Sequence, residues 1–295
     1  MKCFVCGNIE KFTPLFPKFC SAKNYLCNSC GLVFIPRGGK PSVREYYKDD
    51  GYFKKSPNLG FRKIFFSKSL FTKLAEERIA EMKKVLADVD LKGKILDVGC
   101  GYGHILYVLK KHYGCEVLGI EPSQEAAKAG EEAFGIPIKP VLLEEFNFDS
   151  KFDLVLCSHT LEHVEDPLAF LNHIRNLLKD DGFLYLEVPN ILRPTGGFSL
   201  EKFLYPEHLQ TFSAYNLNEL LKKCSFSTVS YDDKNFLRFV CAKQEVNQLG
   251  VAKVSSGEIL EFLEGYKRTY GLREHFRVYL HKFIYLLKIL RYRWT

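Results

Sequence analysis

The segment that most constrains this chain is Lys94–Gly103, KILDVGCGYG. A short apolar run ends in an acid, three glycines follow on alternate positions, and a helical pattern begins at His104. Gly99 and Gly101 let the backbone turn tightly and approach a ligand with no Cβ in the way. A helix starting near Gly103 offers free N–H groups and a positive dipole end, suited to a carboxylate or phosphate. A strand, turn and helix of this kind cannot bury themselves alone. They call for a parallel sheet covered by helices on both faces.

Residues 91–244 supply the material for that sheet. Strands are expected near Lys94–Val98, Glu116–Ile120, Pro140–Leu143, Phe152–Cys157 and Phe183–Val188. Helices are expected near His104–His112, Ser123–Phe134, Pro167–Leu178 and Leu217–Cys224. Two closing strands, near Thr228–Asp232 and Phe236–Ala242, have no helix between them and so predict an antiparallel edge. The fold class is therefore α/β, a Rossmann-like, mostly parallel seven-stranded sheet. Ahead of it, residues 41–90 form an aromatic and basic linker with a helix at Ala75–Leu86, and residues 245–295 read as a helical extension.

Residues 1–40 are Cys-, Gly- and Pro-punctuated. Four of the ten cysteines fall into two C-x-x-C pairs, Cys3 with Cys6 and Cys27 with Cys30. Each second cysteine precedes glycine, which lets amide N–H groups turn back toward thiolate sulfur. Two such knuckles predict a closed tetrahedral thiolate site for structural Zn²⁺, a zinc ribbon, with Cys20 as a bystander. Forty residues bury too little core to fold alone, so the metal would supply folding free energy. Cys100, Cys115 and Cys157 sit in or beside apolar runs, which fits a reducing cytoplasm better than a disulfide scaffold.

Asp97 can accept from an ammonium group, and Glu121, at the tip of the second strand, can accept both hydroxyls of a ribose. A glycine-rich turn alone is shared with nicotinamide-binding domains. Here the acid precedes the first glycine, and this D-x-G-x-G-x-G order resembles class I S-adenosylmethionine-dependent methyltransferases. The resemblance continues through SHTLEHVEDP (Ser158–Pro167), LLKDDGFLYLEVPN (Leu177–Asn190) and EHLQTFSAYNLNELLKKCSF (Glu207–Phe226). It implies that Asp97, Gly99, Gly101 and Gly103 line the methionine part of S-adenosylmethionine and that Glu121 holds its ribose. Leu142, Leu143 and Glu144 would frame the adenine, with Ser158 and His159 beside the cofactor. The knuckle Tyr25–Phe34 and the following YYKDDGYF further resemble methyltransferases acting on sugars and surface glycans. That branch implies a small-molecule or glycan acceptor, with O-methylation favoured.

Three histidines are candidates for removing the acceptor's proton. His208 follows Tyr205-Pro206-Glu207 in a loop after the fifth strand, where acceptor pockets open. An ordinary histidine pKa lies near working pH, so it can take a hydroxyl proton. His159 and His163 bracket Glu162 at i, i+3, i+4, a spacing that would share one helical face. O-methyltransferases of ubiquinone biosynthesis carry E-x-x-E-H here, associated with a divalent cation; His159 replaces the first acid. The alternative for Glu162 and His163 is helix capping that stiffens the cofactor wall.

Charge is unevenly spread over the net +7. Residues 1–74 carry 14 Lys and Arg against 4 Asp and Glu, and residues 273–295 carry 6 against 1, around an acidic body. The tail places Phe276, Leu280, Phe283, Leu287 and Leu290 on one stripe among basic residues. With the basic aromatic stretch 61–74, it suits peripheral contact with an anionic membrane face, packing on the domain, or a homodimer interface. No apolar run is long enough to span a bilayer and no secretory leader opens the chain, so a cytoplasmic protein is expected. Two rival functions remain open: an RNA methyltransferase using the zinc head and basic N-terminal region, and a non-catalytic cofactor-binding subunit. The acidic body counts against nucleic acid.

Overall fold

The computed structural model describes residues 1–36, 67–87, 89–194, 198–246 and 249–270. Three short strands open the chain: β1 (Phe12–Pro14), β2 (Tyr25–Cys27) and β3 (Val33–Phe34). Helix α1 (Lys68–Leu86) precedes a regular alternation of β4 (Lys94–Val98), α2 (His104–Tyr113), β5 (Glu116–Ile120), α3 (Gln124–Phe134) and β6 (Ile138–Lys139). Then come β7 (Phe152–Ser158), α4 (Pro167–Leu177), β8 (Leu178–Pro189), the short α5 (Leu200–Phe203) and β9 (Gln210–Thr211). Helix α6 (Ala214–Lys223), the hairpin β10 (Ser227–Asp232) and β11 (Phe236–Ala242), and α7 (Ser256–Thr269) close the described chain.

The seven-stranded sheet runs β10-β11-β8-β7-β4-β5-β6. All neighbours are parallel except β11, which is antiparallel to both β8 and β10. The Rossmann-like expectation is met, edge hairpin included. From β4 the order grows one way through β5 and β6, then jumps back to β7 on the other side. A crevice opens outside the carboxyl ends of the strands at such a reversal, here beside the glycine turn.

Several local expectations are corrected. The third strand is Ile138–Lys139, not Pro140–Leu143, and Leu143–Glu145 form a 3₁₀ turn. Only two residues reach β5 before the chain bends back, so the apolar run VLL closes a wall instead of extending the sheet. Helix α1 begins seven residues before the expected Ala75, because the Ser67 hydroxyl accepts from the Leu70 N–H and caps it. Its buried stripe, Phe71, Ala75, Ile79, Met82, Val85 and Leu86, has the period of one helical face. The span 245–295 is not helical throughout: residues 249–255 are non-helical, and α7 starts at a Ser255/Glu258 capping box. Of the two basic segments, 61–66 and 273–295 lie outside the described residues, while Lys68–Leu74 makes up about the first two turns of α1. Among the described residues, no helix is long and apolar enough to cross a membrane.

The head's sheet is completed from elsewhere. Strands β1, β2 and β3 form an antiparallel sheet whose fourth strand is β9, with Val33 opposite Thr211 and Phe34 opposite Gln210. Cys3, Cys27, Cys30, Leu32 and Phe34 share one buried cluster with Leu96, Phe212 and Leu217 of the large domain. On the other side Leu15, Leu26 and Val33 pack with Ile259 and Leu263 of α7. Gly31, at φ +74°, presses so close to Ile259 that an added Cβ would stand 2.5 Å from its Cδ1.

Candidate active site

A cleft of about 580 Å³ opens at the strand reversal. Asp97, Gly99, Gly101, Glu121, Leu142, Leu143, Glu144, Ser158, His159 and His163 all line it. Gly103 does not; it caps α2 at φ +68°. Gly99 also has φ +78°, and a Cβ there would lie 2.2 Å from Thr160 Oγ1, so only glycine fits. Backbone N–H groups of Gly99 and Cys100 both donate to the Ile120 carbonyl, which clips the turn to β5. Glu121 is buried and its carboxylate accepts from the Gly101 and Ser123 N–H groups (3.0 Å each). Burial pushes Asp97 up to about 7 against the pull of Arg78. A cation arriving beside Asp97 would draw it back to the ionised form.

The opposite wall is built around histidines. The H-x-x-E-H residues do not share a helical face: Leu161–His163 is a single 3₁₀ turn, and His159 lies before it at φ +53°. In that left-handed conformation the His159 ring sits between two buried carboxylates, Glu162 (3.3 Å) and Glu187 (3.2 Å), and against the edge of Phe236. Burial opposes the charge on His159, but the hydrogen bonds to Glu162 and Glu187 outweigh it and raise its pKa. Burial likewise works against the Glu162 charge, yet His159 and the neighbouring histidines hold this acid at about 2.

His208 lies one ring deeper than expected. It is buried, does not line the cleft, and stacks edge-on behind His163 with ring centres 5.0 Å apart. Burial and the nearby His163 push its pKa down to about 3, well away from the near-neutral value expected of a loop histidine. His163 is bonded through Nδ1 to the Glu207 carbonyl (2.8 Å). Glu162, His163 and His208 bring their ligand atoms within 4.8 Å of one another. Two buried atoms in this group, Glu162 Oε2 and His208 Nδ1, have no hydrogen-bond partner among the described residues.

Sequence reasoning missed the charged seam beneath His159. Glu187 on β8 pairs with Arg78 of α1 (2.5 Å) and Arg238 of β11 (2.7 Å), and accepts from the Tyr185 hydroxyl (2.8 Å). Arg78 also meets Ser158. A signal existed: Glu187 is the one charge in the expected run Phe183–Val188 and Arg238 the one charge in Phe236–Ala242, and they are direct cross-strand partners. Nothing near Arg78 in the sequence points to it.

The four head cysteines converge as expected. Cys3 and Cys30 sulfurs are 3.6 Å apart, those of Cys6 and Cys27 3.5 Å, and all four lie within 4.8 Å. Thiolates at about 2.3 Å from a tetrahedral zinc stand roughly 3.8 Å apart, whereas a disulfide requires about 2.05 Å. The donor set fits a metal. Cys20 is buried elsewhere, among Leu15, Phe19 and Leu26.

An acid-and-glycine turn, an acid at the tip of β5 and a seven-stranded sheet with this edge hairpin define an S-adenosylmethionine-dependent methyltransferase. The chain belongs to that family: residues 70–231 match the family described as "Methyltransferase domain". It is 31% identical over 169 residues to the ubiquinone biosynthesis O-methyltransferase of Actinobacillus pleuropneumoniae serotype 5b (strain L20), covering 44% of this chain and 72% of that one. It is 26% identical to the sphingolipid C9-methyltransferase of Komagataella phaffii (strain GS115), covering 65% of this chain and 45% of that one. Among solved structures, the 1,6-didemethyltoxoflavin-N1-methyltransferase of Burkholderia thailandensis superposes with a TM-score of 0.51 at 16% identity, covering 76% of this chain and 97% of that one.

Proposed function

We propose that this enzyme methylates a hydroxyl of a small acceptor, with Glu162, His163 and His208 receiving the proton. The observation that carries this is the pair of unpartnered buried atoms, Glu162 Oε2 and His208 Nδ1, set behind a histidine that lines the cofactor cleft. In the step, the acceptor oxygen attacks the sulfonium methyl, the C–S bond breaks as the C–O bond forms, and S-adenosylhomocysteine leaves. The acceptor oxygen becomes strongly acidic as it gains the methyl group, so even a weakly basic imidazole takes its proton. Asp97 would hold the cofactor ammonium, Glu121 its ribose, and Leu143 and Glu144 its adenine. Most of the rate comes from in-line positioning, because a sulfonium is already a reactive donor.

The O-methyltransferase reading draws on the ubiquinone relatives. A sugar acceptor draws on the Tyr25–Phe34 knuckle, with structural Zn²⁺ held by Cys3, Cys6, Cys27 and Cys30. The test is transfer of a labelled methyl group to two panels, nucleotide- or lipid-linked sugars and hydroxylated aromatics, by the native enzyme and by His163→Ala and His208→Ala. Both variants should bind S-adenosylhomocysteine within about twofold of native and lose about 10²–10⁴ in turnover. Undiminished turnover in both removes the cluster from the chemistry. Methylation of nitrogen or carbon alone overturns the hydroxyl reading.

The same two orphaned atoms favour a second reading, in which Glu162, His163 and His208 hold a divalent cation. Two imidazoles and a carboxylate suit a borderline metal, and such an ion would lower the pKa of an acceptor hydroxyl. Turnover that depends on added Fe²⁺ or Co²⁺ while zinc stays in the head distinguishes this from the metal-free reading.

A further inference from the structure

We propose that the four-cysteine metal centre and the acceptor wall form one thermodynamic unit. Metal held by the cysteines would order the Leu161–Val164 turn and His208, leaving the cofactor wall unchanged. The inference rests on the zinc reading of the head and goes beyond it, because a structural zinc need stabilise nothing outside its own knuckles.

The link is a short series of directed bonds. Within the knuckle, Gly31 N–H donates to the Cys27 carbonyl and Cys27 N–H to the Leu32 carbonyl, 2.8 Å each. The next two residues are β3, paired with β9. One step further, Ile35 N–H donates to the Leu209 carbonyl, and Leu209 N–H donates to the Glu162 carbonyl, again 2.8 Å each. From β9 the buried Gln210 side chain donates through Nε2 to two carbonyls of the turn, Leu161 (2.6 Å) and Val164 (2.8 Å). Ile35, five positions after Cys30, is therefore bonded to the residue whose own N–H grips the catalytic-cluster turn. Gln210 is a positioning residue: it does not line the cleft, yet it fixes the turn that carries Glu162 and His163.

The cofactor wall is held by a separate ladder, Gly99 and Cys100 to Ile120 and Gly101 to Glu121. It shares with the head the apolar cluster that holds Leu96, Val98, Leu118 and Ile120, and it reaches the acceptor turn through Thr160, whose hydroxyl donates to the Val98 carbonyl (3.1 Å). Two-residue strands such as β3 and β9 are marginal by themselves. A cross-link that fixes the knuckle therefore removes most of the freedom that would otherwise let β3 peel from β9. Coupling of this kind is reciprocal: if metal orders the turn, disordering the turn must weaken metal binding by the same factor.

The experiment uses the full chain. Elemental analysis first counts zinc, and an absence of bound metal refutes the zinc reading itself. With about one zinc per chain, amide hydrogen exchange is compared before and after chelation. Exchange should accelerate at least about tenfold at 161–164 and 207–211, and less than about twofold at 95–101 and 117–121. In parallel, zinc affinity of Gln210→Glu, which has no donor for the two carbonyls, is measured by competition with a chromophoric chelator. Gln210→Met repeats the test without adding charge. Each should bind zinc about tenfold more weakly. Acceleration confined to residues 1–36, acceleration spread equally over the whole chain, or native zinc affinity in both variants overturns the proposal.

Discussion

The two walls of the cleft are built in opposite ways. The cofactor wall is local: β4, the glycine turn, α2 and β5 lie within residues 94–121, and their bonds close over short sequence distances. The opposite wall and its backing are assembled from far apart: Arg78 on α1, His159–His163 after β7, Glu187 on β8, His208 before β9, Arg238 on β11, and β3 of the head behind them. A wall made from one continuous segment keeps its geometry by covalent proximity. A wall made from six segments keeps it only while every segment is docked. Binding of the donor should therefore be robust to damage that abolishes transfer.

The largest expected effect breaks the local wall itself. In Gly99→Val the β-branched residue at φ +78° drives its Cβ into Thr160, whose hydroxyl donates to the Val98 carbonyl (3.1 Å). Strain and overpacking together should lower S-adenosylhomocysteine affinity by roughly 10²–10³-fold in calorimetric titration. Affinity within threefold of native would mean that the turn does not approach the ligand.

The same contrast decides what was readable in the sequence. KILDVGCGYG and Glu121 announce the cofactor wall because strand, turn and helix signals are all local there. The seven strands follow from their apolar runs, except the third, where Val141–Leu143 is as apolar as a strand yet packs as a wall. His159, Glu162 and His163 have helical spacing but not helical geometry, because His159 turns through φ +53° to reach Glu187. That partner lies 28 residues away on another strand, and no periodicity encodes it. The pairing of β3 with β9 spans some 180 residues and has two residues on each side. Strands so short carry no alternation to read.

A smaller effect tests the seam between the walls. Glu187→Gln leaves Arg78, Arg238 and His159 facing a neutral amide in a buried place. Unfolding free energy measured in urea should fall by about 2–3 kcal/mol, because the buried network loses the anion that Arg78, Arg238 and His159 share. Donor affinity should change by less than about fivefold, since Glu187 does not line the cleft. The pair of half-buried Lys94 and exposed Glu116 (3.0 Å) is the control: Glu116→Gln should cost less than about 0.5 kcal/mol. Equal losses at the two sites would deny the seam any special role.

The smallest effect is a pH dependence, and its sign is opposite for binding and for stability. Asp97 in the folded, ligand-free protein titrates at about 7, far above the unfolded carboxylate near 3.9. On the proposed role of Asp97, the proton that the folded protein keeps below 7 is one the cofactor ammonium must displace. Donor affinity should therefore fall by up to about tenfold per pH unit as pH drops from 7 toward 5.5, and be flat above 7. Stability of the ligand-free protein runs the other way through this group. Between about pH 4 and 7 the folded state binds more protons than the unfolded one, so Asp97 makes the fold less stable as pH rises and contributes no further change above 7. Glu162, held at about 2, acts oppositely and only at lower pH, where its protonation removes stability. The difference between native and Asp97→Asn isolates the Asp97 contribution. In that variant donor affinity should be weak and nearly independent of pH across 5.5–7.5, and the decline in ligand-free stability between 4 and 7 should shrink. A native affinity that does not vary across this window would mean that Asp97 is ionised before the donor arrives, and that the local wall is set for its ligand by Arg78 without any proton being released.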